Sequence, residues 1–145
     1  MCGILGEINF GSTATNRQLF ATMLDVLAPR GPDGEGTFFG ERISFGHRRL
    51  SIIDLSERSA QPMKDPELGL MIIFNGEIYN YRELKVELLE LGHRFHTESD
   101  TEVIMKAYRS WGADCLLRFR GMFAFAIWDE KAQSVFLARD PMGIK

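Results

Sequence analysis

Apolar and polar residues recur along this chain at two spacings, one typical of strands and one typical of helices. The N-terminal segment 3–10 alternates between the two classes, which predicts a strand. A helix is predicted to begin after Asn16, a favourable N-cap residue, and to reach Ala28. The strand is expected to place Ile4, Ile8 and Phe10 on one face. The helix is expected to bury the stripe of Leu19, Met23, Val26 and Leu27.

The middle of the chain predicts loops and short strands. Residues 30–36 (Arg-Gly-Pro-Asp-Gly-Glu-Gly) are typical of a tight, glycine-rich loop that positions the next segment of the chain. They are not a phosphate-binding loop, because no Gly-Lys-Ser/Thr follows them. Short strands are predicted over 37–40 and 42–46. The apolar run 50–53 predicts a buried strand directly after two arginines, and the polar residues 56–68 predict a loop.

The second half predicts further strands and two longer helices. The apolar run 68–74 indicates a strand that ends in a turn at Asn75-Gly76. A capping box from Asn80 to Glu83 predicts a helix with Leu84, Leu88 and Leu91 on its core face. A second helix is predicted from Ser99 to about Gly112. The remaining elements are a strand over 94–96, a short helix over 113–119 and a hairpin of strands 122–128 and 134–138. This order favours an α+β fold over regular βαβ alternation.

Composition narrows the class of protein. The 145 residues, 45% hydrophobic and 26% charged, suit one globular domain with a core of its own. A net charge of −3 gives no electrostatic reason to expect nucleic acid or a membrane surface as a partner. Cys2 and Cys115 are too few for a disulfide framework and are not spaced for a metal site, so a cytoplasmic location is expected. The first ten residues lack a positive n-region, and no apolar run is long enough to span a membrane.

The first two residues carry the most specific candidate chemistry. An initiator Met before Cys is usually removed, which would leave Cys2 with a thiol and a free α-amine on the same carbon. Such an amine has a pKa of about 7.7–8.0 and can act as the base for its own thiol. If Met1 stays, that amine is an amide and the base is lost. The alternative is that Cys2 is a small apolar residue that opens the first strand.

The other reactive side chains indicate less. The three histidines are expected to be structural or exposed, because no third metal ligand accompanies them. They are His47, His93 and His96. Cys115 lies among leucines and is expected in the core.

Seven short segments, in one order over nearly the whole chain, resemble one family. The segments are 1–6, 30–34, 47–54, 75–80, 99–102, 121–129 and 139–145. Together they resemble the N-terminal glutaminase domain of glutamine-hydrolysing asparagine synthetases, which are class II glutamine amidotransferases. The segments Arg-Leu-Ser-Ile-Ile-Asp (49–54) and Asn-Gly-Glu-Ile-Tyr-Asn (75–80) favour this branch over the phosphoribosyl and hexosamine-forming branches.

The resemblance implies a fold and a domain organisation. The fold would be a four-layer αββα N-terminal-nucleophile hydrolase sandwich, in which two stacked antiparallel sheets lie between helix layers. The family's domain continues past Lys145, so residues 1–145 are expected to be a glutaminase domain truncated at its C-terminus, with the synthetase domain absent. ATP and Mg²⁺ belong to that absent domain. No cofactor and no metal are expected in this chain.

The resemblance also implies a reaction and its catalytic residues. L-Glutamine and water would give L-glutamate and ammonia through a thioester on Cys2, with the α-amine of Cys2 as base. Asn75 and Gly76 would stabilise the oxyanion through a side-chain amide and a backbone N–H respectively. Such donors are typically worth about 10²–10³ in rate. The alternative for this pair is a simple turn.

Substrate binding is assigned by the same resemblance. Arg49 would bind the glutamine carboxylate, because a guanidinium matches a carboxylate in a bidentate pair, and Asp100 would bind the ammonium. The adjoining contacts are implied for Leu50, Ser51, Ile52, Ile53 and Glu77. The alternatives are a surface salt bridge for Arg49 and a helix-start residue for Asp100. Arg48 points to the other face of a strand from Arg49, so only one arginine can bind the ligand.

The partners expected are L-glutamine and an ammonia-accepting synthetase domain, in cis or in trans. The unpaired edge of a terminal hairpin favours association, so a homo-oligomer is also considered. Two other functions stay open. One is an asparagine-synthetase-like amidotransferase that acts on another carboxylate such as a sugar acid, and the other is a catalytically silent, truncated interaction module.

Overall fold

The computed structural model describes residues 2–11, 13–54 and 56–145. Their strands are β1 (Gly3–Ile8), β2 (Gly34–Phe39), β3 (Ile43–Arg49), β4 (Met63–Asp65), β5 (Leu70–Ile78), β6 (Gly121–Asp129) and β7 (Ser134–Arg139). The α-helices are α1 (Arg17–Val26), α2 (Tyr81–Glu90) and α3 (Asp100–Trp111). Short 3₁₀ helices lie at Ala28–Arg30, Glu57–Ser59 and Gly112–Arg118. One antiparallel sheet has the order β1-β3-β2, and the other has the order β4-β5-β6-β7.

Strand alternation builds the layers. Odd-numbered residues of β3 and β5 and even-numbered residues of β6 face the other sheet, and their apolar side chains form the inter-sheet core. These residues are Ile43, Phe45, Met71, Ile73, Ala126 and Trp128. The outer face of β5, including Ile72 and Phe74, packs with α2 and α3 in a second cluster. On the opposite side α1 packs on β1 and β3. The predicted four-layer αββα arrangement is therefore confirmed.

Several element predictions are confirmed. Asn16 caps α1 by accepting a hydrogen bond from the Leu19 N–H at 3.1 Å, and Ser99 caps α3 by accepting one from the Thr101 N–H at 3.0 Å. Leu84 and Leu88 of α2 are buried, the short helix before β6 is 3₁₀, and β6 and β7 form the predicted hairpin.

The first helix buries a different stripe from the predicted one. Leu19, Met23 and Val26 are 57%, 48% and 75% exposed, and Phe20 and Leu24 are buried instead. Glycine at position 46 of β3 explains the rotation, because its missing side chain leaves the space that Phe20 and Leu24 fill. The predicted first strand is also too long. It ends at Ile8, and Phe10 is 95% exposed.

The predicted turn at Asn75-Gly76 is wrong. Strand β5 continues through both residues, and its pairing with β6 holds as far as Ile78 opposite Gly121. Gly76 permits this pairing because a Cβ there would collide with the carbonyl oxygen of Met122. The buried strand predicted over 50–53 is also wrong. Strand β3 ends at Arg49, residues 50–53 are irregular, and Ile52 is 66% exposed.

Four smaller predictions also fail. The loop predicted over 56–68 contains the 3₁₀ turn Glu57–Ser59 and β4. Residues 94–96 form no strand, because the Glu102 carboxylate binds the His96 N–H at 3.0 Å. The capping box at Asn80 does not form, since its side chain accepts from the Arg120 N–H and donates to the Arg118 carbonyl. Leu91, predicted in the core, is exposed.

Among the described residues, the structure contains no helix with the length and apolarity needed to cross a membrane.

Candidate active site

One cleft collects every residue predicted for the site. It lies where the N-terminal end of β1 and the C-terminal end of β3 meet β5 and the start of α3, and it holds about 660 Å³ of space out to its open mouth. The predicted residues that line it are Cys2, Arg49, Leu50, Ser51, Ile52, Ile53, Asn75, Gly76, Glu77 and Asp100. They come from separate parts of the chain, and the two sheets bring them together.

The Cys2 thiol is held by the backbone of Leu50. The Leu50 N–H donates to the Cys2 Sγ at 3.4 Å, and the thiol donates to the Leu50 carbonyl at 3.6 Å. The Cys2 carbonyl also accepts a hydrogen bond from the Arg30 Nε at 3.3 Å. The chain enters β1 directly after Cys2, so the sheet fixes the thiol at the end of a paired strand. Met1, whose removal would free the Cys2 amine, lies outside the described residues.

The glycine-rich loop over 30–36 positions the segment just after Arg49. The Asp33 N–H donates to the Arg49 carbonyl at 2.9 Å, and the Asp33 Oδ2 accepts from the Ser51 N–H at 2.8 Å. Gly31 packs so closely on the backbone of Arg48 that a Cβ there would collide with it. The loop was predicted to position the segment next to it in the chain, and these bonds show that it positions the more distant residues 49–51.

The edge of β5 directs a backbone N–H into the cleft. The Tyr79 N–H donates to the Arg120 carbonyl at 2.7 Å. Because N–H directions alternate along an antiparallel strand, the N–H groups of odd-numbered residues of β5 point toward β6, and those of even-numbered residues point away from it. Accordingly, the Phe74 N–H donates to the Gln61 Oε1 at 2.6 Å, and the Ile78 N–H donates to the Asp100 Oδ2 at 3.0 Å. The Gly76 N–H lies between these two on the same edge. It therefore points into the cleft, where a developing oxyanion could accept its hydrogen bond.

The two adjacent arginines separate to opposite faces of β3. Arg48 faces α1, where its Nε donates to the Leu24 carbonyl at 3.2 Å and its guanidinium forms ion pairs with Asp25 and Glu35. Arg49 faces the cleft. Its guanidinium also donates to the carbonyls of Asp54 and Ser56 and to the Ser59 hydroxyl. Arg49 thus orders the loop beside the cleft, a contact that the sequence did not indicate.

Asp100 is the first residue of α3 and is buried. Burial raises the pKa of the Asp100 carboxyl to about 6, the Ile78 N–H opposes that rise, and the nearby Glu77 carboxylate adds to it. A bound ammonium group would stabilise the ionised forms of these two carboxylates, because its charge is opposite to theirs. Arg49 supplies the opposite charge within the same cleft.

His47 and His93 lie in structural positions, and His96 is exposed. Burial lowers the pKa of His47 to about 4, so its ring is neutral at neutral pH. Its Nε2 donates to the Phe74 carbonyl at 3.2 Å. The His93 Nε2 bonds the Ser110 hydroxyl at 2.6 Å. No three His, Cys, Asp or Glu side chains in the described part of the chain converge on a position for a metal ion.

Sequence reasoning missed several residues that shape the cleft. Gln61, Thr101 and Asp54 line it, and the Asp54 carboxylate also accepts from the N–H groups of Ser56 and Glu98. Their type and spacing carry no signal in the sequence, because each acts through a contact between distant segments. Asp33 is the exception, since an Asp after Gly-Pro is a common turn residue that binds nearby backbone.

Comparisons with known proteins agree with this geometry. The family model of the glutamine amidotransferase domain matches residues 1–145. Asparagine synthetase (glutamine-hydrolyzing) 1 of Bacillus subtilis is 45% identical over 100% of this chain and 23% of its own length. Putative asparagine synthetase (glutamine-hydrolyzing) 2 of Methanocaldococcus jannaschii is 42% identical over 100% of this chain and 31% of its own length. The chain thus spans about a quarter to a third of the length of these relatives.

A solved structure shares the fold. Glutamine phosphoribosylpyrophosphate amidotransferase from Bacillus subtilis, complexed with ADP and GMP, aligns with a TM-score of 0.61 and 26% identity. The alignment covers 74% of this chain and 25% of that chain. Fold, cleft and whole-chain family match agree, and this chain belongs to the glutamine amidotransferase domain family.

Proposed function

We propose that this chain hydrolyses L-glutamine to L-glutamate and ammonia. One observation carries the proposal: a single cleft holds a cysteine thiol at the start of β1 together with a guanidinium from Arg49 and a carboxylate from Asp100. A free α-amino acid carries the two opposite charges at its head group. The cleft therefore suits an amino acid whose side chain reaches the thiol.

The acyl-transfer step is built on the residues around Cys2. After removal of Met1, the α-amine of Cys2 takes the proton of the thiol, and the sulfur attacks the γ-carboxamide carbon of glutamine. The Gly76 N–H and the Asn75 side-chain amide stabilise the oxyanion of the tetrahedral intermediate. The protonated amine then gives its proton to the leaving nitrogen, so that ammonia departs and a thioester remains. Water attacks the thioester in the same way, which releases glutamate and restores the thiol.

Recognition of the amino acid comes from oppositely charged side chains that line the same cleft. Arg49 pairs with the α-carboxylate, and the ordered backbone of Leu50 to Ile53 lies alongside it. The ammonium binds Asp100 and Glu77. Binding of that cation favours the ionised form of Asp100, whose pKa burial raises to about 6 in the free protein.

The relatives indicate where the ammonia goes. Two of them are asparagine synthetases by name, so the ammonia is expected to serve the ATP-dependent conversion of aspartate to asparagine in a synthetase domain, in cis or in trans. Transfer to another carboxylate and a catalytically silent module are not favoured, because the relatives are named for asparagine synthesis and the cleft is assembled. The cytoplasm, a reducing compartment, suits the reaction because Cys2 acts only as a free thiol.

The proposal is tested by product analysis. The protein is incubated with L-glutamine, and glutamate and ammonia are each quantified, with D-glutamine and L-asparagine as matched controls. Equal amounts of the two products from L-glutamine alone are expected. Failure to release ammonia from L-glutamine by a chain that has lost Met1 would refute the proposal.

A further inference from the structure

Strand β5 runs on past its neighbour β4, and this leaves an edge beside the cleft. The β4 ladder ends where Met63 pairs with Ile72, since the preceding residue, Pro62, has no N–H to continue it. Beyond Ile72, the N–H groups of Phe74, Gly76 and Ile78 still point away from β6. In place of a neighbouring strand, side chains accept the hydrogen bonds of the Phe74 and Ile78 N–H groups.

Gln61 makes the first of these replacements. Its Oε1 accepts from the Phe74 N–H at 2.6 Å, two residues before the Gly76 N–H that faces the cleft. The Phe74 carbonyl is held as well, by the His47 Nε2 at 3.2 Å. The peptide groups of this strand edge are therefore fixed by side chains rather than by a ladder.

The other end of the Gln61 amide reaches the first turn of α3. Its Nε2 donates to the Thr101 Oγ1 at 3.4 Å, and Thr101 follows Asp100 in the first turn of α3. The amide orientation is determined by its partners, because only an oxygen can accept from the Phe74 N–H. Gln61 itself is buried, and its backbone packs so tightly on β2 that a Cβ at Gly36 would collide with the Gln61 carbonyl.

We propose that Gln61 is a positioning residue that sets the Gly76 N–H of β5 and Asp100 of α3 at the separation that the glutaminase reaction needs. This inference rests on the proposed function. The hydrogen bond from the Phe74 N–H to Gln61 positions the oxyanion donor and therefore affects kcat. The hydrogen bond from Gln61 to Thr101 positions the ammonium site and therefore affects KM. A misplacement of about 1 Å at a reacting group can lower the rate about 100-fold.

Two substitutions separate the effects of these two hydrogen bonds. Gln61→Met keeps the side chain's length and removes both hydrogen bonds, and Thr101→Val keeps the shape and removes only the acceptor. We expect Gln61→Met to lower kcat about 10- to 100-fold, and Thr101→Val to raise KM about 3- to 10-fold with kcat within about twofold. Gln18→Met, at an exposed position of α1, is the matched control and should leave both constants unchanged.

The readouts distinguish positioning from simple stabilisation. Turnover is expressed per reactive Cys2, titrated with a glutamine-analogue alkylating agent, so that loss of folded protein does not lower kcat. The ¹H and ¹⁵N chemical shifts of the Gly76 amide are recorded in parallel, and we expect them to change in Gln61→Met. Wild-type kcat and KM in both variants, or a change only in thermal stability, would overturn the inference while the proposed function stands. If Gln61→Met does not fold, an unchanged KM in Thr101→Val overturns it alone. Absence of turnover in the wild type would instead refute the proposed function, and this inference with it.

Discussion

The backbone of Leu50 holds the thiol of Cys2 from two directions, with its N–H at 3.4 Å and its carbonyl at 3.6 Å from the Sγ. These residues are 48 positions apart, and the loop around Asp33 keeps Leu50 in place through the neighbouring Arg49 and Ser51. The nucleophile is thus held both by its place directly before β1 and by the irregular segment that contains Leu50. The segment follows β3, which ends at Arg49, and it lines the cleft.

Removal of the nucleophile should abolish turnover without unfolding the protein. Cys2→Ala deletes only a partly exposed thiol, so we expect no detectable ammonia release and an unchanged thermal midpoint. Cys115→Ala is the matched control, because Cys115 is fully buried in the core beside α3. It should lower stability and leave kcat near that of the wild type. Residual turnover in Cys2→Ala would contradict the mechanism.

The oxyanion donors should act mainly on kcat. In Asn75→Ala the strand is kept by its pairing with Ala124, while the side-chain amide is lost. We expect kcat to fall by about 10²–10³ with a smaller rise in KM, since the donor binds a charge that develops only in the transition state. Steady-state kinetics with L-glutamine measure both constants. A rise in KM with kcat unchanged would show that Asn75 binds the ground state instead.

Arginine substitutions on the two faces of β3 should have different effects. Arg49→Ala removes the guanidinium from the cleft and should raise KM for glutamine about 10- to 100-fold, in line with a lost charge-assisted hydrogen-bond pair. Part of this effect comes from the lost bonds to the Asp54 and Ser56 carbonyls and the Ser59 hydroxyl, so Arg49→Lys should recover only a fraction. Arg48→Ala is the control, because Arg48 faces α1. An equal rise in KM in Arg48→Ala would exclude Arg49 as the carboxylate site.

The pH dependence should report Asp100. Its carboxylate must be ionised to bind an ammonium, so kcat/KM is expected to fall as the pH drops through about 6, the pKa to which burial raises this carboxyl. Asp100→Asn should raise KM and remove this limb of the profile. A limb near pH 6 that persists in Asp100→Asn would assign it to another group.

Asp100 should affect stability and activity in opposite directions, because folding favours its protonated form and substrate binding needs its ionised form. The folded protein binds the Asp100 proton more tightly than the unfolded chain, whose carboxyl has its usual pKa near 3.8. The stabilisation from this proton is therefore present below pH 3.8 and is lost as the pH rises through about 6. Asp100→Asn should flatten this part of the pH profile of unfolding free energy, measured by denaturant titration. An unchanged profile would contradict the assignment.

The elements that could be predicted from sequence are those whose signal is local. Ser99 and Asn16 cap their helices because the capping side chain and its N–H are neighbours in the chain. The hairpin of β6 and β7 needs only two apolar runs and a short turn. The four-layer fold rested on the resemblance rather than on these local patterns.

The failures arise where distant segments decide the structure. Asn-Gly usually forms a turn, but Gly76 is required here by the close approach of Met122 from β6. The exposed stripe of α1 is as apolar in sequence as the buried stripe. The space above Gly46 of β3 accommodates Phe20 and Leu24, and this contact determines which stripe is buried. For the same reason the bonds of Gln61, 40 residues from Thr101, left no trace in the local pattern.

The most direct test of the whole account is covalent capture of the nucleophile. The protein is incubated with 6-diazo-5-oxo-L-norleucine, whose diazomethyl carbon alkylates a thiol with loss of N₂, and intact mass and peptide masses are recorded before and after. We predict a starting mass without Met1, then a single adduct on Cys2 that excess L-glutamine prevents. A processed chain that gives no adduct, or one modified equally at Cys115, would contradict the claim that this cleft positions Cys2 to attack glutamine.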